Sequence, residues 1–241
     1  MNWPTWGSFP AMALATFKDL VIDATDARRL GEFWAEALGL QLEANRATDV
    51  VLRGRTPAHT VWIDQVPEPK TVKNRVHLDV HTGDIERLTA AGATVLNDTD
   101  FRWVVMADPE GQEFCAFVRE QPPDDLLYEI IVDCAEPELV ATWWGNVFGV
   151  KVDRHDHDLG SYYSLKGVPG AYFDGLSFVP VPEPKTAKNR VHWDVKSSVP
   201  ALLDAGARMI RPVTERPEPG RTWDVLGDPE GNEFCVCRHG A

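Results

Sequence analysis

The stretch that decides the fold is VPEPKTVKNRVHLDV at residues 66–80, because it occurs again as VPEPKTAKNRVHWDV at residues 181–195. The two segments are identical at 13 of 15 positions. Self-similarity of this kind indicates that one folding unit is present twice in the chain.

The similarity extends in both directions from this segment. Downstream, DPEGQEFCA at 108–116 recurs as DPEGNEFCV at 228–236. Upstream, LVIDATDARRLGEFWAEALGL at 20–40 matches IIVDCAEPELVATWWGNVFGV at 130–150. The offset between the copies grows from 110 to 115 to 120 residues, which places two short insertions in the second copy.

A repeat of about 110 residues is the size of a small domain, so two copies indicate two domains rather than a solenoid. The sequence predicts an N-terminal extension at 1–14, a first domain at 15–120 and a second domain at 126–239.

Both copies have the same order of elements. A strand at 20–24 precedes a helix whose apolar side chains recur at helical spacing, namely Leu30, Phe33, Trp34, Ala37 and Leu38. The second copy has the same pattern at Val140, Trp143, Trp144, Val147 and Phe148. Short strands, a strand at 75–80, a helix at about 84–91 and a hairpin around the DPEG turn complete each copy. This order predicts an α+β fold with helices on one face of sheets rich in antiparallel pairs.

The composition argues against several classes of function. The chain has 24 Lys and Arg against 37 Asp and Glu, a net charge of −13, which argues against binding to nucleic acid or an anionic membrane. It contains no apolar run long enough to span a membrane, and its first residues lack the features of a signal peptide. Its four cysteines are too few for a disulfide scaffold. We expect a cytoplasmic protein whose partner is a small molecule.

The repeated strand at 75–80 alternates apolar and ionisable residues. Because side chains of a strand point alternately to its two faces, three ionisable residues of each copy share one face. They are Arg75, His77 and Asp79 in the first copy and Arg190, His192 and Asp194 in the second. We expect this face to line a cavity. A purely structural role, with an Arg–Asp pair around a hydrogen-bonded histidine, remains an equal alternative.

This layout, with RVHLDV opening the second half of a copy and DPEGQEFC closing it, resembles the vicinal oxygen chelate superfamily. It is most similar to the glyoxalase-like branch, which includes bleomycin-resistance-type binding proteins. The resemblance covers residues from about 16 to 238. It implies two tandem glyoxalase-like domains, each of two βαβββ modules that form an open curled sheet around a cavity. Because single-domain relatives pair as homodimers, it also implies a monomer with an internal pseudo-dimer, or a weak homodimer.

In metal-dependent members of the superfamily, the first and last strands of each module supply the ligands. The resemblance places these positions in the two copies at His77 and His192, Cys115 and Cys235, Asp19 and Glu129, and Gln65 and Pro180. Proline offers no metal ligand, so a divalent metal ion is an alternative only in the first domain, at Asp19, Gln65, His77 and Cys115. Because the usual oxygen-rich ligand set is absent, we expect no cofactor.

Three functions follow from these residues and the resemblance. The favoured one is binding of a small aromatic or anionic molecule, as in sequestration or resistance proteins, by Arg75, Arg190, Trp103, Trp223, Cys115 and Cys235. The second is a lyase, isomerase or dioxygenase whose catalytic residues are His77, His192, Asp79 and Asp194, with the histidines as general bases. The third is metal-dependent chemistry at the four metal candidates of the first domain.

Overall fold

The structure, a computed structural model, describes residues 13–44, 49–157, 160–214 and 223–237. Most of the predicted N-terminal extension lies outside these residues. The first repeat forms β1 (Ala15–Ala24), α1 (Ala27–Leu38), β2 (Gln41–Ala44), β3 (Val50–Arg53), β4 (Thr60–Gln65), β5 (Val76–Thr82), α2 (Ile85–Ala90), β6 (Thr94–Asn97), β7 (Val104–Ala107) and β8 (Glu113–Val118).

The second repeat has the same elements in the same order. It forms β9 (Leu127–Cys134), α3 (Pro137–Phe148), β10 (Val152–His155), β11 (Tyr162–Lys166), β12 (Gly175–Pro180), β13 (Val191–Ser197), α4 (Val199–Asp204), β14 (Arg208–Arg211), β15 (Trp223–Gly227) and β16 (Glu233–Cys237). The α+β fold class and the tandem duplication are therefore confirmed.

The strands form two open eight-stranded sheets. Sheet 1 has the order β2-β3-β4-β1-β13-β16-β15-β14, and sheet 2 has the order β6-β7-β8-β5-β9-β12-β11-β10. Each sheet thus joins one four-stranded module of the first repeat to one module of the second. The antiparallel pairs β1–β13 and β5–β9 make these joins. The modules of one repeat therefore lie in different sheets, which the expectation of one curled sheet per domain did not include.

Helix α1 forms where the apolar pattern predicts it. Asp26 caps its first turn, since Asp26 Oδ1 accepts a hydrogen bond from the backbone N–H of Arg29 at 3.0 Å. Gly39 ends the helix with a φ of 66°, a conformation that favours glycine. The whole predicted apolar stripe is buried, and the equivalent stripe of α3 is buried too.

Each DPEG turn connects a sheet to the first helix of its own repeat. In the first repeat, Trp34 Nε1 donates to Asp108 Oδ2 at 3.2 Å. The Glu110 carboxylate accepts hydrogen bonds from the backbone N–H groups of Thr25 and Asp26, where α1 begins. The second repeat makes the same contacts with equivalent residues. This shared arrangement explains why the DPEG segment is so similar in the two copies.

No helix among the described residues is long and apolar enough to cross a membrane.

The oligomeric state of the chain is a prediction that follows from the sharing of both sheets between the repeats. In a monomeric chain the β1–β13 and β5–β9 pairs already provide the pairing that separate domains would need from a partner. We expect the full chain to sediment with the mass of a monomer of 26.9 kDa. A dimer that persists on dilution in sedimentation velocity runs would contradict this prediction.

Candidate functional site

The first candidate site lies at the centre of sheet 2, on the face opposite the apolar residues of β5. We call this the polar face of sheet 2. His77 and Asp79 of β5 and Cys115 of β8 lie there, with ligand atoms within 4.8 Å of one another. The strand register explains this, because Asp79 is directly opposite Cys115 on one side and Glu129 on the other. The predicted residues of β5 and β8 therefore come together as a cluster.

The polar face of sheet 1 carries the equivalent cluster of the second repeat. The ligand atoms of His192, Asp194 and Cys235 also lie within 4.8 Å of one another. His192 Nε2 is 3.5 Å from Cys235 Sγ. Asp194 lies opposite Cys235 on one side and Asp19 on the other. All of these residues are buried.

Burial sets the protonation of the sheet 2 cluster. It lowers the pKa of His77 to about 4, against the opposing effect of the Asp133 carboxylate. Burial, together with the charge of Glu129, raises the pKa of Asp79 well above its usual range. Burial and the neighbouring Asp79 raise the pKa of the Cys115 thiol. At neutral pH the His77 imidazole is therefore uncharged and the Cys115 thiol holds its proton.

The sheet 1 cluster is shifted in the same directions. Burial lowers the pKa of His192 to about 3, and it raises the pKa of Asp194 to about 7. Burial, with the nearby Asp194, also raises the pKa of both thiols on this face, to about 12 for Cys237. Without a bound cation, both clusters favour neutral side chains.

The resemblance placed one ligand position near Gln65, with Pro180, which offers no ligand, as its equivalent in the second repeat. Gln65 is exposed at the end of β4. On β4, Trp62 and Asp64 share the face that carries the sheet 1 cluster, and the charge of Asp64 acts on Asp194 and Cys235; the residue equivalent to Trp62 in sheet 2 is Ser177. Trp62 Nε1 donates to Asp19 Oδ2 at 2.9 Å, and Ser177 Oγ donates to Glu129 Oε2 at 2.9 Å.

The predicted four-residue metal set of the first domain is also corrected. Asp19 and Gln65 lie in sheet 1, whereas His77 and Cys115 lie in sheet 2. The set is divided because each sheet combines modules from both repeats. The residue that accompanies His77 and Cys115 in place of Asp19 is its equivalent in the second repeat, Glu129.

Arg75 and Arg190, predicted to bind ligand beside the histidines, lie elsewhere. Each precedes its strand by one residue, so the alternation of the strand does not direct its side chain. Arg190 pairs with Glu110 at 3.4 Å, and Arg75 pairs with Glu230 at 3.5 Å, each across the two repeats. Both line a separate cavity of about 500 Å³ between the VPEPK segments. Their contacts are those of residues that join the repeats.

A row of aromatic side chains continues the polar face of sheet 2 beyond the cluster. Trp103, which was predicted to bind ligand, stacks between Phe101 and Phe117, with ring centroids 5.0 and 5.5 Å apart. Phe117 contacts Tyr128, whose ring lies 4.5 Å from that of His81. Four of these rings, those of Phe101, Phe117, Tyr128 and His81, were not among the predicted site residues. The same alternation that selected His77 and Cys115 would also have selected His81, four residues after His77, and Phe117, two residues after Cys115.

Sheet 1 lacks this row among its described residues. Trp223 keeps the position of Trp103, but Cys237 replaces Phe117 and Lys18 replaces Tyr128. Lys196 occupies the position of His81. The two polar faces therefore share a His–Asp–Cys centre and differ in the side chains around it.

Comparison with known proteins agrees with this fold. A family model described as a glyoxalase-like domain matches residues 19–117 and 129–237, one match for each repeat. The chain belongs to this family. No curated protein matches the chain.

Solved structures with the same fold include glyoxalase I from Zea mays. It superimposes with a TM-score of 0.68 at 15% identity, over 92% of both chains. A mutant of the same enzyme superimposes with a TM-score of 0.69 at 15% identity, over 93% of this chain and 94% of that one. A candidate dioxygenase from Bacillus subtilis subsp. subtilis str. 168 gives a TM-score of 0.63 at 12% identity, over 96% of this chain and 87% of that one. At such identities the similarity establishes the fold alone.

Both glyoxalase-like sites contain side chains that are able to hold a metal ion. In sheet 2, Asp79 Oδ1 is buried without a hydrogen-bond partner among the described residues, although buried carboxylates are normally paired. A cation beside His77 and Cys115 would satisfy this atom. The combination of imidazole, carboxylate and thiol suits zinc or iron better than magnesium or calcium, which prefer oxygen ligands.

Proposed function

We propose that the polar face of sheet 2 binds a small planar aromatic molecule that carries a negative charge. The single observation that carries this proposal is the aromatic row beside the His77 cluster. Phe101 is 46% exposed, and Trp103, Phe117 and Tyr128 are only partly buried. Aromatic rings that are stacked yet accessible to solvent are typical of a surface that a ligand covers.

The charge on the ligand is inferred from Arg119. Its guanidinium carbon lies 5.5 Å from the centre of the Phe117 ring. Its charge also acts on His81, where it contributes to a lowered pKa, after the larger effect of burial. Arg119 is exposed, so its charge is available to an acidic group at the outer end of the aromatic row.

The cluster at the other end of the row supplies the polar contacts of the site. With a pKa of about 4, His77 is uncharged at neutral pH and presents one donor and one acceptor nitrogen. Asp79 Oδ1, which is buried without a hydrogen-bond partner among the described residues, offers an acceptor or, when protonated, a donor. A ligand hydroxyl or carbonyl group between these residues would satisfy both.

Binding is favoured over general-base catalysis by the histidines. A general base works best when its pKa lies near the operating pH. The pKa is lowered to about 4 for His77 and to about 3 for His192, so both lie well below neutral pH. A lyase, isomerase or dioxygenase that uses a metal ion at the same cluster is the second candidate, supported by the His77–Asp79–Cys115 arrangement.

Titration with anilinonaphthalene sulfonate, an aromatic anion that fluoresces when bound, tests the binding proposal. We expect Trp103→Ala and Phe117→Ala each to weaken binding by about fivefold to tenfold, because a lost aromatic contact costs about 1 kcal/mol. The matched control is Trp223→Ala, the equivalent residue of sheet 1, which we expect to leave the affinity unchanged. Equal losses in all three variants would contradict a site on sheet 2.

A further inference from the structure

The cavity between the two VPEPK segments is separate from both polar faces. Its volume of about 500 Å³ lies within the range of small-molecule sites. Most of its lining residues have their equivalent from the other repeat in the same lining, as Lys73 and Lys188 do. Each repeat thus contributes the same kinds of group to the cavity, and a molecule held there would contact both repeats.

Positive charge predominates in this lining, although the whole chain has a net charge of −13. Two arginines and three lysines line the cavity, against two aspartates and two glutamates. Both aspartates already accept a hydrogen bond from a lysine, since Lys73 pairs with Asp133 and Lys188 pairs with Asp23. An ammonium group has three donors, so each of these lysines can donate to a ligand as well.

The lysines are the cations of the cavity that solvent reaches. Their side chains are 61% exposed at Lys73 and 49% exposed at Lys188. The side chains of Arg75 and Arg190 are only 10% and 8% exposed, and each donates to a backbone carbonyl of the opposite repeat. The arginines therefore form the buried part of the junction, and the lysines present accessible charge to a molecule that enters the cavity.

The two arginines also have more donors than the protein satisfies. Arg75 Nε and Arg190 Nε are buried and have no hydrogen-bond partner among the described residues. Buried polar atoms are normally paired, so each repeat leaves the same donor unsatisfied beside the same cavity. Negative charge placed in the cavity would offset this excess of donors, whereas a cationic ligand would add to it.

We propose that this cavity binds a small organic dicarboxylate. Lys73 and Lys188, one from each repeat, supply an ammonium group for each of its two acid groups. The lining also contains apolar side chains, among them Val72, Val181 and Ala187, which favour a carbon chain over an inorganic polyphosphate. Because the ligand contacts both repeats, its binding stabilises their junction in the folded chain.

Isothermal titration calorimetry of the full chain with glutarate, a dicarboxylate without an aromatic ring, tests the proposal. We expect one glutarate to bind per chain and to raise the melting temperature. Butyrate, which has a single acid group, is expected to bind at least about tenfold more weakly, because it loses one charge-assisted contact. Pyrophosphate, which has the charge but no carbon chain, is expected to bind more weakly than glutarate.

Two lysine variants locate the ligand. Lys73→Gln and Lys188→Gln each remove one cation but keep a donor for the buried aspartate beside it. We expect each to weaken glutarate binding about tenfold. The matched control is Lys151→Gln, which removes a lysine that pairs with Asp153 on the surface outside the cavity, and it should leave the affinity unchanged. Urea unfolding without ligand checks that each variant is folded.

Several outcomes would overturn the proposal, and those on the unaltered chain do not depend on the variants. They are an absence of binding at millimolar glutarate, equal affinities for glutarate and butyrate, tighter binding of pyrophosphate, and binding of 1,5-diaminopentane in place of glutarate. Unchanged affinity in both lysine variants would also overturn it. Trp103→Ala should leave glutarate binding unchanged, and a loss there would place glutarate on sheet 2. The aromatic ligand proposed for sheet 2 is therefore tested separately.

Discussion

Replacing Arg190 with alanine is expected to lower the free energy of unfolding by about 3 kcal/mol, because it breaks a buried ion pair that joins the two repeats. Arg190 is only 8% exposed. Its guanidinium group donates to the backbone carbonyls of Glu68 at 2.8 Å and Asp23 at 3.1 Å. It also pairs with the Glu110 carboxylate at 3.4 Å. All three partners belong to the first repeat.

Most of the expected loss of unfolding free energy comes from the buried Glu110 carboxylate, which the substitution leaves without its cation. Glu110 has a side chain that is also 8% exposed, and it would remain buried without its cation. Glu110 holds the start of α1 through the backbone N–H groups of Thr25 and Asp26. Its destabilisation would therefore reach the helix that packs against sheet 1 as well as the junction between the repeats.

Urea unfolding measures this effect. Arg28→Ala is the control, because Arg28 pairs with Glu32 one turn further along α1 on a solvent-exposed surface, where ion pairs contribute little. We expect Arg190→Lys to be less stable than the wild type as well, since lysine keeps the charge but lacks the planar fork that reaches three acceptors. An Arg190→Ala midpoint equal to that of Arg28→Ala would contradict this account.

Local patterns in the sequence predicted much of the fold. The spacing of Leu30, Phe33 and Trp34 and the cap at Asp26 depend on neighbouring residues only, so α1 could be derived from the sequence. The set of strands that makes up each sheet could not be derived from the sequence in this way. Strands β5 and β13 have nearly the same sequence, and either one offers β1 the same apolar face. Their choice of partner is set by long-range packing, which a local pattern does not contain.

The residues of the candidate site could likewise be predicted only where a local pattern determines their position. Alternation within β5 placed His77 and Asp79 on one face, since the pleat of a strand is a local property. It failed for Arg75, which lies outside the strand. The position near Gln65 came from the family resemblance rather than from alternation, and which side chain of β4 faces the cluster depends on how β4 pairs with β1. In that pairing, Trp62 lies opposite Val21 and reaches Asp19.

A chain cut to residues 13–120, which contains all the strands and helices of the first repeat, is expected to form a dimer instead of a folded monomer. In the full chain, β1 and β5 each pair with a strand of the second repeat along one edge. Removing the second repeat exposes both edges, and unpaired edges of long buried strands associate readily. Two copies of the first repeat can restore both joins, because β1 of each copy can pair with β5 of the other.

The equivalence of the strands gives this dimer a defined register. In the full chain Leu20 of β1 lies opposite Trp193 of β13, and the residue equivalent to Trp193 in β5 is Leu78. A pairing of Leu20 with Leu78 keeps an apolar residue at the same place, so it needs no change of face. The resulting dimer would be closed by a two-fold axis, with two identical sheets in place of sheets 1 and 2.

Sedimentation velocity and circular dichroism of the truncated chain measure this outcome. We expect a dimer with folded secondary structure at micromolar concentration, and unfolding that depends on protein concentration, since folding and association are then one process. Val21→Pro removes a backbone donor from the middle of β1 and should abolish the folded dimer. A folded monomer would contradict the prediction, because it would show that each repeat can close its own sheet. In that case the exchange of modules between sheets would be a consequence of fusing the two repeats rather than a requirement of each one.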